Sequence, residues 1–454
     1  MCIRDRSVMS MVEISEHFKG RSPSVIRVAQ IEFMKRKDGV DAVNVAIGNV
    51  TLPMHPAMQR RMFELDSAQS PFREGVVKYT PTVGIDETRA AFLNIIGSSG
   101  FNTDGLHVQV TDGGSQAMEL VVLGTCGPAG SNTKPIILID AAYTNYPAMA
   151  KRVGRRTVSV TRTLSDDGTF TLPDIEEIER VIERERPGAM VVIPYDNPTG
   201  HFCDHETMAL LAGLCVKHNL WMISDEAYRE LFYVEKKTSS IWGIADDEVP
   251  GIEGRRISIE TASKVWNACG LRIGALVTDN AEFHDKGVAE ATANLCTNAI
   301  GQYIFGTLAH ESHERLAEWY STQRAYYNPV ISSLSSEIKR LLPGIIVSRP
   351  DASIYSVIDV RKIAPEGFDA KEFVLYCARE GKVELDGEQL TLLVAPMEGF
   401  YNVRHGEKNP GKMQMRIAYV EPPEKMKLVP ALFSTLIGKY SGLTVGSGAA
   451  SPSQ

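Results

Sequence analysis

Long hydrophobic runs are missing from this 454-residue sequence, and no apolar stretch approaches the roughly 18 residues of a membrane-spanning helix. Long basic runs are missing too: 48 Lys and Arg are scattered among 56 Asp and Glu, which gives a formal net charge of −8. Residues 1–20 lack the apolar core of a secretory signal. We therefore expect neither a membrane partner nor a nucleic-acid partner.

Cysteine is scarce, with seven in the chain, no Cys-x-x-Cys pair and no repeated spacing. This usage indicates reduced thiols, so we expect a cytoplasmic protein. Serine-hydrolase, phosphate-loop and dinucleotide-binding motifs are also absent. One cluster has the spacing of metal ligands, but it precedes a helix that Asp204 is expected to cap, and we predict no metal there. The cluster is His201, Cys203, Asp204 and His205.

The middle of the chain alternates short apolar runs with helix-like segments. Continuous hydrophobicity is typical of parallel strands that are buried on both faces. Behind Asp204, the spacing of Met208, Leu211, Ala212 and Cys215 predicts an amphipathic helix. The alternation therefore predicts an α/β fold with a mostly parallel sheet flanked by helices. The strand-like runs are 135–140, 189–194, 220–224, 257–260 and 275–278.

The pattern changes near residue 319, where a long helical stretch leads into a mixture of strands and helices. We predict a large domain at 61–325 and a smaller α+β domain at 326–440. Residues 1–60 are expected to form an N-terminal arm and part of the smaller domain. Residues 441–454 are rich in Gly, Ser and Ala and lack aromatics, so a disordered tail is predicted there.

Asn197, Asp225 and Lys264 each follow the end of a predicted strand. In open α/β sheets, ligands bind beyond the carboxyl ends of the strands, so these side chains are expected to converge. Lys264 can form a Schiff base with a carbonyl cofactor, and a partly buried Asp225 needs a cationic partner. A protonated pyridine nitrogen would be that partner, which points to pyridoxal phosphate (PLP). Taken singly, Lys264 can equally be a solvated lysine, and Asp225 a helix N-cap.

Three further side chains could contact the cofactor ring. Tyr228, three residues after Asp225, and Asn197 could donate hydrogen bonds to the ring oxygen. Tyr143 follows the strand-like run that ends at residue 140 and could stack on the ring face. The alternatives are a core aromatic for Tyr228, a turn residue for Asn197 and ordinary loop packing for Tyr143.

A phosphate group needs a separate anion site. Gly114 and Ser115 lie in a glycine-rich turn before an apolar helical stretch, which places backbone N–H groups at a helix N-terminus. Arg272 could add a bidentate cation, with the hydroxyls of Thr261 and Ser263 nearby. Arg416 stands in an otherwise apolar, strand-like segment and needs an anion. A substrate carboxylate fits this requirement, and so does a structural salt bridge.

These motifs resemble the class I/II aminotransferases, which belong to the fold-type I PLP enzymes. The resemblance covers residues 43–419 and rests on Asn197-Pro198-Thr199-Gly200, Asp225-Glu226-Ala227-Tyr228 and Ser263-Lys264 with Arg272. It implies the α/β large domain plus smaller α+β domain of that fold, with Lys264 as the Schiff-base lysine and proton shuttle. Asp225 would pair with the ring nitrogen. The implied phosphate ligands are Gly114, Ser115, Gln116, Thr261, Ser263 and Arg272.

The same resemblance implies how substrate and partner are held. Arg416 and Gly48 would lie at the substrate carboxylate, with Asn197 beside them. Tyr79 matches a tyrosine that the family donates across a dimer interface to the phosphate, which implies a homodimer with shared active sites. The implied reaction moves an amino group from an L-amino acid to a 2-oxo acid such as 2-oxoglutarate. Similarity to the aspartate-type branch at 400–401 and 416–419 suggests aspartate or another acidic donor.

Two other functions are compatible with the same cofactor. A PLP-dependent lyase, catalysing β-elimination or decarboxylation, would use the same residues around Lys264, because pocket details decide the fate of the carbanion. A non-enzymatic PLP-sensing regulator would need a DNA-binding module. Barely 40 residues precede the family-like region, and they contain no basic recognition helix.

Overall fold

The computed structural model describes residues 12–404 and 406–443 and is built around a seven-stranded sheet. The sheet forms where the sequence has its continuous apolar runs, and four of its seven strands are buried along their whole length: Ile136–Asp140, Ala189–Val192, Arg256–Thr261 and Ile273–Thr278. Helices cover both faces, which confirms the predicted α/β class. In spatial order the strands are His107–Asp112, Ile273–Thr278, Arg256–Thr261, Trp221–Asp225, Ala189–Val192, Ile136–Asp140 and Thr157–Thr161.

One strand of this sheet runs against the others. Ile273–Thr278 is antiparallel to both of its neighbours, Arg256–Thr261 and His107–Asp112. We expected the apolar run at 275–278 to be a parallel strand, and this was wrong. A strand buried on both faces has the same hydrophobic pattern in either direction, so only the connection could distinguish them. That connection is the short loop that carries Lys264, and its two ends lie at one edge of the sheet.

The helices begin and end at recognisable signals. The predicted helix after Asp204 is His205–Lys217, its cap accepts a hydrogen bond from the Thr207 N–H at 3.0 Å, and its predicted apolar face is buried. The other helices of the described chain are Glu16–Lys19, Val25–Phe33, Pro56–Phe63, Asp86–Ser98, Gly113–Thr125, Asn145–Arg152, Ile175–Glu185, Ala281–Ala291, Ala299–Gly306, His313–Leu341, Ala370–Arg379, Pro423–Met426 and Val429–Ser441.

The described residues also form three smaller sheets. A four-stranded sheet has the order Ile346–Val347, Tyr355–Asp359, Gln414–Ala418 and Ala395–Pro396, and a three-stranded sheet the order Asp41–Asn44, Glu388–Leu393 and Val383–Leu385. The strand Asp41–Asn44 thus joins the N-terminal region to the C-terminal one through parallel pairing. A two-stranded ribbon pairs Thr163–Leu164 with Phe170–Thr171.

The predicted domain limits stay a prediction. The final helix reaches Ser441, where the predicted tail begins, and residues 444–454 lie outside the described part of the chain, as do residues 1–11. None of the helices in the described ranges is long and apolar enough to span a bilayer.

Candidate active site

The sheet edge that carries Lys264 opens into a cavity of about 710 Å³. Asp225 is the last residue of its strand, and Asn197 and Tyr143 follow the ends of two neighbouring strands. Because parallel strands end at the same edge, residues far apart in sequence meet here. The predicted residues that line the cavity are Gly48, Gly114, Ser115, Tyr143, Asn197, Asp225, Tyr228, Thr261, Ser263, Lys264, Arg272 and Arg416.

Lys264 is half-buried and projects toward the N-terminal region. Its Nζ donates a hydrogen bond to the carbonyl oxygen of Gly48. A Cβ atom on Gly48 would lie 3.0 Å from Lys264 Nζ and 2.3 Å from the Tyr355 hydroxyl. Only glycine therefore lets the backbone approach the amine and the phenol so closely. The Lys264 amine faces the cavity, which is where a carbonyl cofactor could reach it.

Asp225 is buried and lacks an ion-pair partner among the residues that the structure describes. Its Oδ2 accepts a hydrogen bond from the Tyr146 hydroxyl at 2.9 Å, and its Oδ1 accepts one from the Ala227 N–H at 3.2 Å. Burial raises the pKa of Asp225 to about 6, although both hydrogen bonds act to lower it. No helix starts here, so the N-cap alternative does not apply. A pyridinium nitrogen would supply the missing cation.

Arg416 is the most completely buried cation of the cavity, with 1 % of its surface exposed. It donates hydrogen bonds to Asn197 Oδ1 at 2.9 Å and to the Ala46 carbonyl at 2.6 Å, and its Nε has no partner among the described residues. Its guanidinium lies 4.4 Å from the ring centroid of Tyr355 and 5.3 Å from that of Phe400. No carboxylate within the described chain pairs with it, so the salt-bridge alternative fails.

The glycine-rich turn forms the first turn of the helix Gly113–Thr125. Gly113 has a φ of +62°, and a Cβ atom there would lie 2.3 Å from Arg272 Nη2, so glycine lets the guanidinium rest against the helix start. Thr261 Oγ1 donates to Ser263 Oγ at 2.8 Å on the same side. Free N–H groups, hydroxyls and a guanidinium without a carboxylate partner in the described ranges make an anion cradle.

Two predicted residues lie away from the cavity. The side-chain oxygen of Gln116 accepts a hydrogen bond from the Asp112 N–H at 2.7 Å, so it caps its own helix, and its contact with phosphate stays a prediction. Tyr79 has 79 % of its surface exposed and lies in a loop outside the cavity of its own chain. That position is compatible with a contact across a dimer interface.

Sequence reasoning missed several residues of the cavity. Tyr146 donates a hydrogen bond to Asp225 without itself lining the cavity, and Tyr355, which does line it, contacts the Tyr228 hydroxyl. The first could have been found from its position, three residues after Tyr143 in the opening turn of a helix at the same sheet edge. The missed polar residues at the cavity mouth are Ser24, Arg27, Gln30, Asn44 and Glu421.

An amine, a buried carboxylate without a cation and an anion cradle on one edge of an α/β sheet define the site of a PLP enzyme. A family model described as aminotransferase class I and II matches residues 44–392. The chain therefore belongs to this family, whose members use PLP, and it is a PLP-dependent aminotransferase.

Relatives and solved structures agree with this assignment. The chain is 25% identical over 370 residues to the aspartate/prephenate aminotransferase of Thermus thermophilus, which covers 80% of this chain and 88% of the relative. It is 26% identical to the aspartate aminotransferase of Sulfolobus acidocaldarius, over 79% and 84% of the two chains. The fold matches N-succinyldiaminopimelate aminotransferase of Mycobacterium tuberculosis with a TM-score of 0.76 at 21% identity, over 94% and 100% of the two chains.

Proposed function

We propose that this aminotransferase takes its amino group from an acidic L-amino acid such as aspartate and delivers it to a 2-oxo acid such as 2-oxoglutarate. The observation that carries the proposal is a pair of arginines without carboxylate partners in the described residues. Arg416 is buried deep in the cavity, and Arg27 lies exposed at its mouth. A substrate with a carboxylate at each end would pair with both guanidinium groups.

The remaining polar groups at the mouth support a hydrophilic substrate side chain. Glu421, a carboxylate at this rim, accepts a hydrogen bond from the Asn44 N–H at 3.3 Å and lies 4.0 Å from the Lys425 amine. Its charge is therefore partly offset, whereas that of Arg27 is not. Curated relatives named aspartate aminotransferase and a solved Thermus thermophilus enzyme with maleate, a dicarboxylate, agree with an acidic substrate.

We assign the following roles to the residues of the cavity. When bound, PLP would supply an aldehyde that forms a Schiff base with an amine, and a ring that acts as an electron sink. Lys264 Nζ holds the cofactor and then moves the α-proton of the substrate, while Arg416 and the Gly48 backbone orient the substrate carboxylate. Asp225 would keep the ring nitrogen protonated, and Asn197 and Tyr228 would donate to the ring oxygen. Tyr143 would stack on the ring, and the start of the helix Gly113–Thr125 and Arg272 would hold the phosphate.

The first test follows the visible absorption of the purified protein as single amino acids are added without any oxo acid. We expect the band of the lysine-bound cofactor to convert with aspartate or glutamate, because each half of a transamination proceeds alone. A band that persists with every amino acid while ammonia or carbon dioxide is released would instead identify a lyase. Conversion with neutral aromatic amino acids and none with aspartate would contradict the acidic donor.

Replacing Arg27 by methionine is expected to raise KM for aspartate about tenfold or more and to leave KM for alanine within twofold. The physical reason is that a partly exposed charge-assisted hydrogen bond to the substrate side chain contributes roughly 1.5 kcal/mol, and alanine has no group to make it. Steady-state kinetics with both donors measures the ratio. Arg21→Met is the matched control, because Arg21 is also exposed but does not line the cavity. Equal effects on the two donors would remove Arg27 from side-chain recognition.

We further propose a homodimer in which Tyr79 reaches the phosphate of the partner's site. Tyr79 lies beside exposed apolar residues, with Val76 52 % and Val77 57 % exposed. Leu295 is also exposed, at 53 %, and its carbonyl accepts a hydrogen bond from Thr82 Oγ1, three residues after Tyr79, at 2.6 Å. Apolar surface of this kind is typical of an interface between subunits.

Mixing two defective chains tests the shared site. Tyr79→Phe should weaken cofactor binding about tenfold, and Lys264→Ala should abolish turnover. In a hybrid dimer, one of the two sites would combine the intact lysine of one chain with the intact tyrosine of the other. We therefore expect co-expressed chains to regain tight cofactor binding at the lysine-bearing sites. Sedimentation as a monomer, or hybrids no better than the Tyr79→Phe parent, would contradict the proposal.

A further inference from the structure

Tyr355 lies in the cavity beside Tyr228, although the residues around it in the sequence gave no sign of a functional position. It is the first residue of the strand Tyr355–Asp359, its side chain is 2 % exposed, and it lines the cavity. Its hydroxyl lies 2.8 Å from the hydroxyl of Tyr228, with the two rings nearly perpendicular at 80°. Within the described residues, Tyr228 is the hydrogen-bond partner recorded for this hydroxyl. Two residues separated by 127 positions in the sequence thus form one pair.

The same side chain contacts the substrate end of the cavity. The Arg416 guanidinium lies 4.4 Å from the centroid of the Tyr355 ring, on which it can rest as a cation–π pair. The hydroxyl also faces Gly48, where a Cβ atom would lie 2.3 Å from it and 3.0 Å from Lys264 Nζ. Tyr355 therefore contacts Arg416 through its ring and Tyr228 through its oxygen.

The geometry of two adjacent hydroxyls restricts their protons. Only one of them can donate to the other, and Tyr228 keeps its proton because burial raises its pKa well above the ordinary value. If Tyr228 donates its hydrogen bond to the ring oxygen of the cofactor, the Tyr228 oxygen can accept a hydrogen bond from the Tyr355 hydroxyl. A hydroxyl that accepts a hydrogen bond becomes a better donor, so the pair is cooperative in that direction.

We propose that Tyr355 is a positioning residue of the transamination reaction, which directs the Tyr228 proton to the cofactor ring through its hydroxyl and fixes Arg416 at the substrate carboxylate through its ring. This inference rests on the proposed roles of Tyr228 and Arg416. It predicts that the Tyr355 hydroxyl affects kcat and the pH midpoint of the cofactor band, whereas the Tyr355 ring affects KM.

The variant Tyr355→Phe removes the hydroxyl and keeps the ring. We expect kcat to fall about three- to tenfold, with KM for the amino donor within twofold, because one neutral hydrogen bond is lost while the face under Arg416 stays. Without substrate, the pH midpoint of the visible band of the lysine-bound cofactor should move upward. Donation to the ring oxygen favours the unprotonated linkage, in which that oxygen is more negative, so a weaker donor favours the protonated one.

The variant Tyr355→Leu removes ring and hydroxyl together, and we expect KM to rise about tenfold in addition to the fall in kcat. Tyr419→Phe is the matched control, since Tyr419 is equally buried beside the strand Tyr355–Asp359 but donates to Ser356 Oγ at 3.1 Å and does not line the cavity. It should leave the midpoint and kcat unchanged. A Tyr355→Phe midpoint that stays with the control, or a KM that rises as much in Tyr355→Phe as in Tyr355→Leu, would overturn the inference.

The variant Tyr228→Phe separates this inference from the proposed function beneath it. On that background, adding Tyr355→Phe should move the midpoint no further, because the proton that it directs is gone. An equal further shift would overturn the coupling of the two hydroxyls. If Tyr228→Phe alone leaves both midpoint and kcat unchanged, the assigned role of Tyr228 fails, and the inference fails with it for a separate and recognisable reason.

Discussion

Replacing Lys264 by alanine is expected to reduce transamination at least about 10⁴-fold, the largest effect of any single substitution in this chain. Among the described residues that line the cavity, Lys264 is the sole primary amine. Its loss removes both the covalent attachment and the proton transfer, and the proton transfer alone contributes about 10² to 10⁴. The rate of conversion of a single bound amino acid measures the effect directly.

The visible spectrum supplies the control for this prediction. The Lys264→Ala protein should still bind PLP through the helix Gly113–Thr125 and Arg272, but without the band of a lysine-bound cofactor. Lys286→Ala, at an exposed lysine outside the cavity, should keep both band and turnover. Turnover within tenfold of the parent protein after the loss of Lys264 would mean that another group moves the proton.

Three of the predicted cavity residues have positions that depend on one strand end each. Gly48 and Arg416 come from other parts of the chain and were predicted from the family resemblance and, for Arg416, also from a charge in an apolar strand. Asn197, Asp225 and Lys264 follow short buried runs, and a parallel sheet brings such ends together whatever the rest of the chain does. The family and the fold class were correctly predicted for the same reason. The motifs lie at those ends, and the family match spans residues 44–392.

Residues that arrive from other layers could not be predicted in this way. Tyr355 comes from a separate four-stranded sheet, and Arg27 from an N-terminal helix, Val25–Phe33, that lies over the cavity mouth. The neighbouring residues in the sequence indicate only a buried strand around Tyr355 and an amphipathic helix around Arg27. Their partners are fixed by tertiary packing, which local pattern does not record. The reversed strand Ile273–Thr278 was mistaken for the related reason that burial is symmetric in strand direction.

The charged residues of the cavity differ in their partners from two buried arginines elsewhere in the described chain. Two buried arginines outside the cavity have carboxylate partners: Arg229 contacts Glu260 at 2.6 Å, and Arg256 contacts Asp279 at 2.7 Å. Within the described chain, Asp225 and Arg416 lack such partners. A buried, unpaired charge destabilises the folded state by several kcal/mol. We therefore expect Asp225 and Arg416 each to bind a ligand group of opposite charge.

Arg416 allows the sharpest comparison of this kind. Replacing it by methionine should lower kcat/KM for the amino donor about 30- to 5,000-fold, since removing one partner of a buried charge pair costs roughly 2–5 kcal/mol. Arg416→Lys should recover little of the loss, because a point charge cannot bind a carboxylate through two parallel hydrogen bonds. Maleate should raise the melting temperature of the parent protein and leave that of the methionine variant unchanged.

Arg256→Met is the matched counterpart, a buried arginine outside the cavity with its own carboxylate. Its loss leaves the Asp279 carboxylate without its cation. The free energy of unfolding should therefore fall by about 3–5 kcal/mol, while kcat/KM of the folded protein stays within about threefold. At Arg416 no carboxylate is stranded, and the main loss should be in kcat/KM. If Arg416→Met instead lowers stability as much as Arg256→Met and still allows maleate to raise the melting temperature, Arg416 is a structural cation and the substrate carboxylate binds elsewhere.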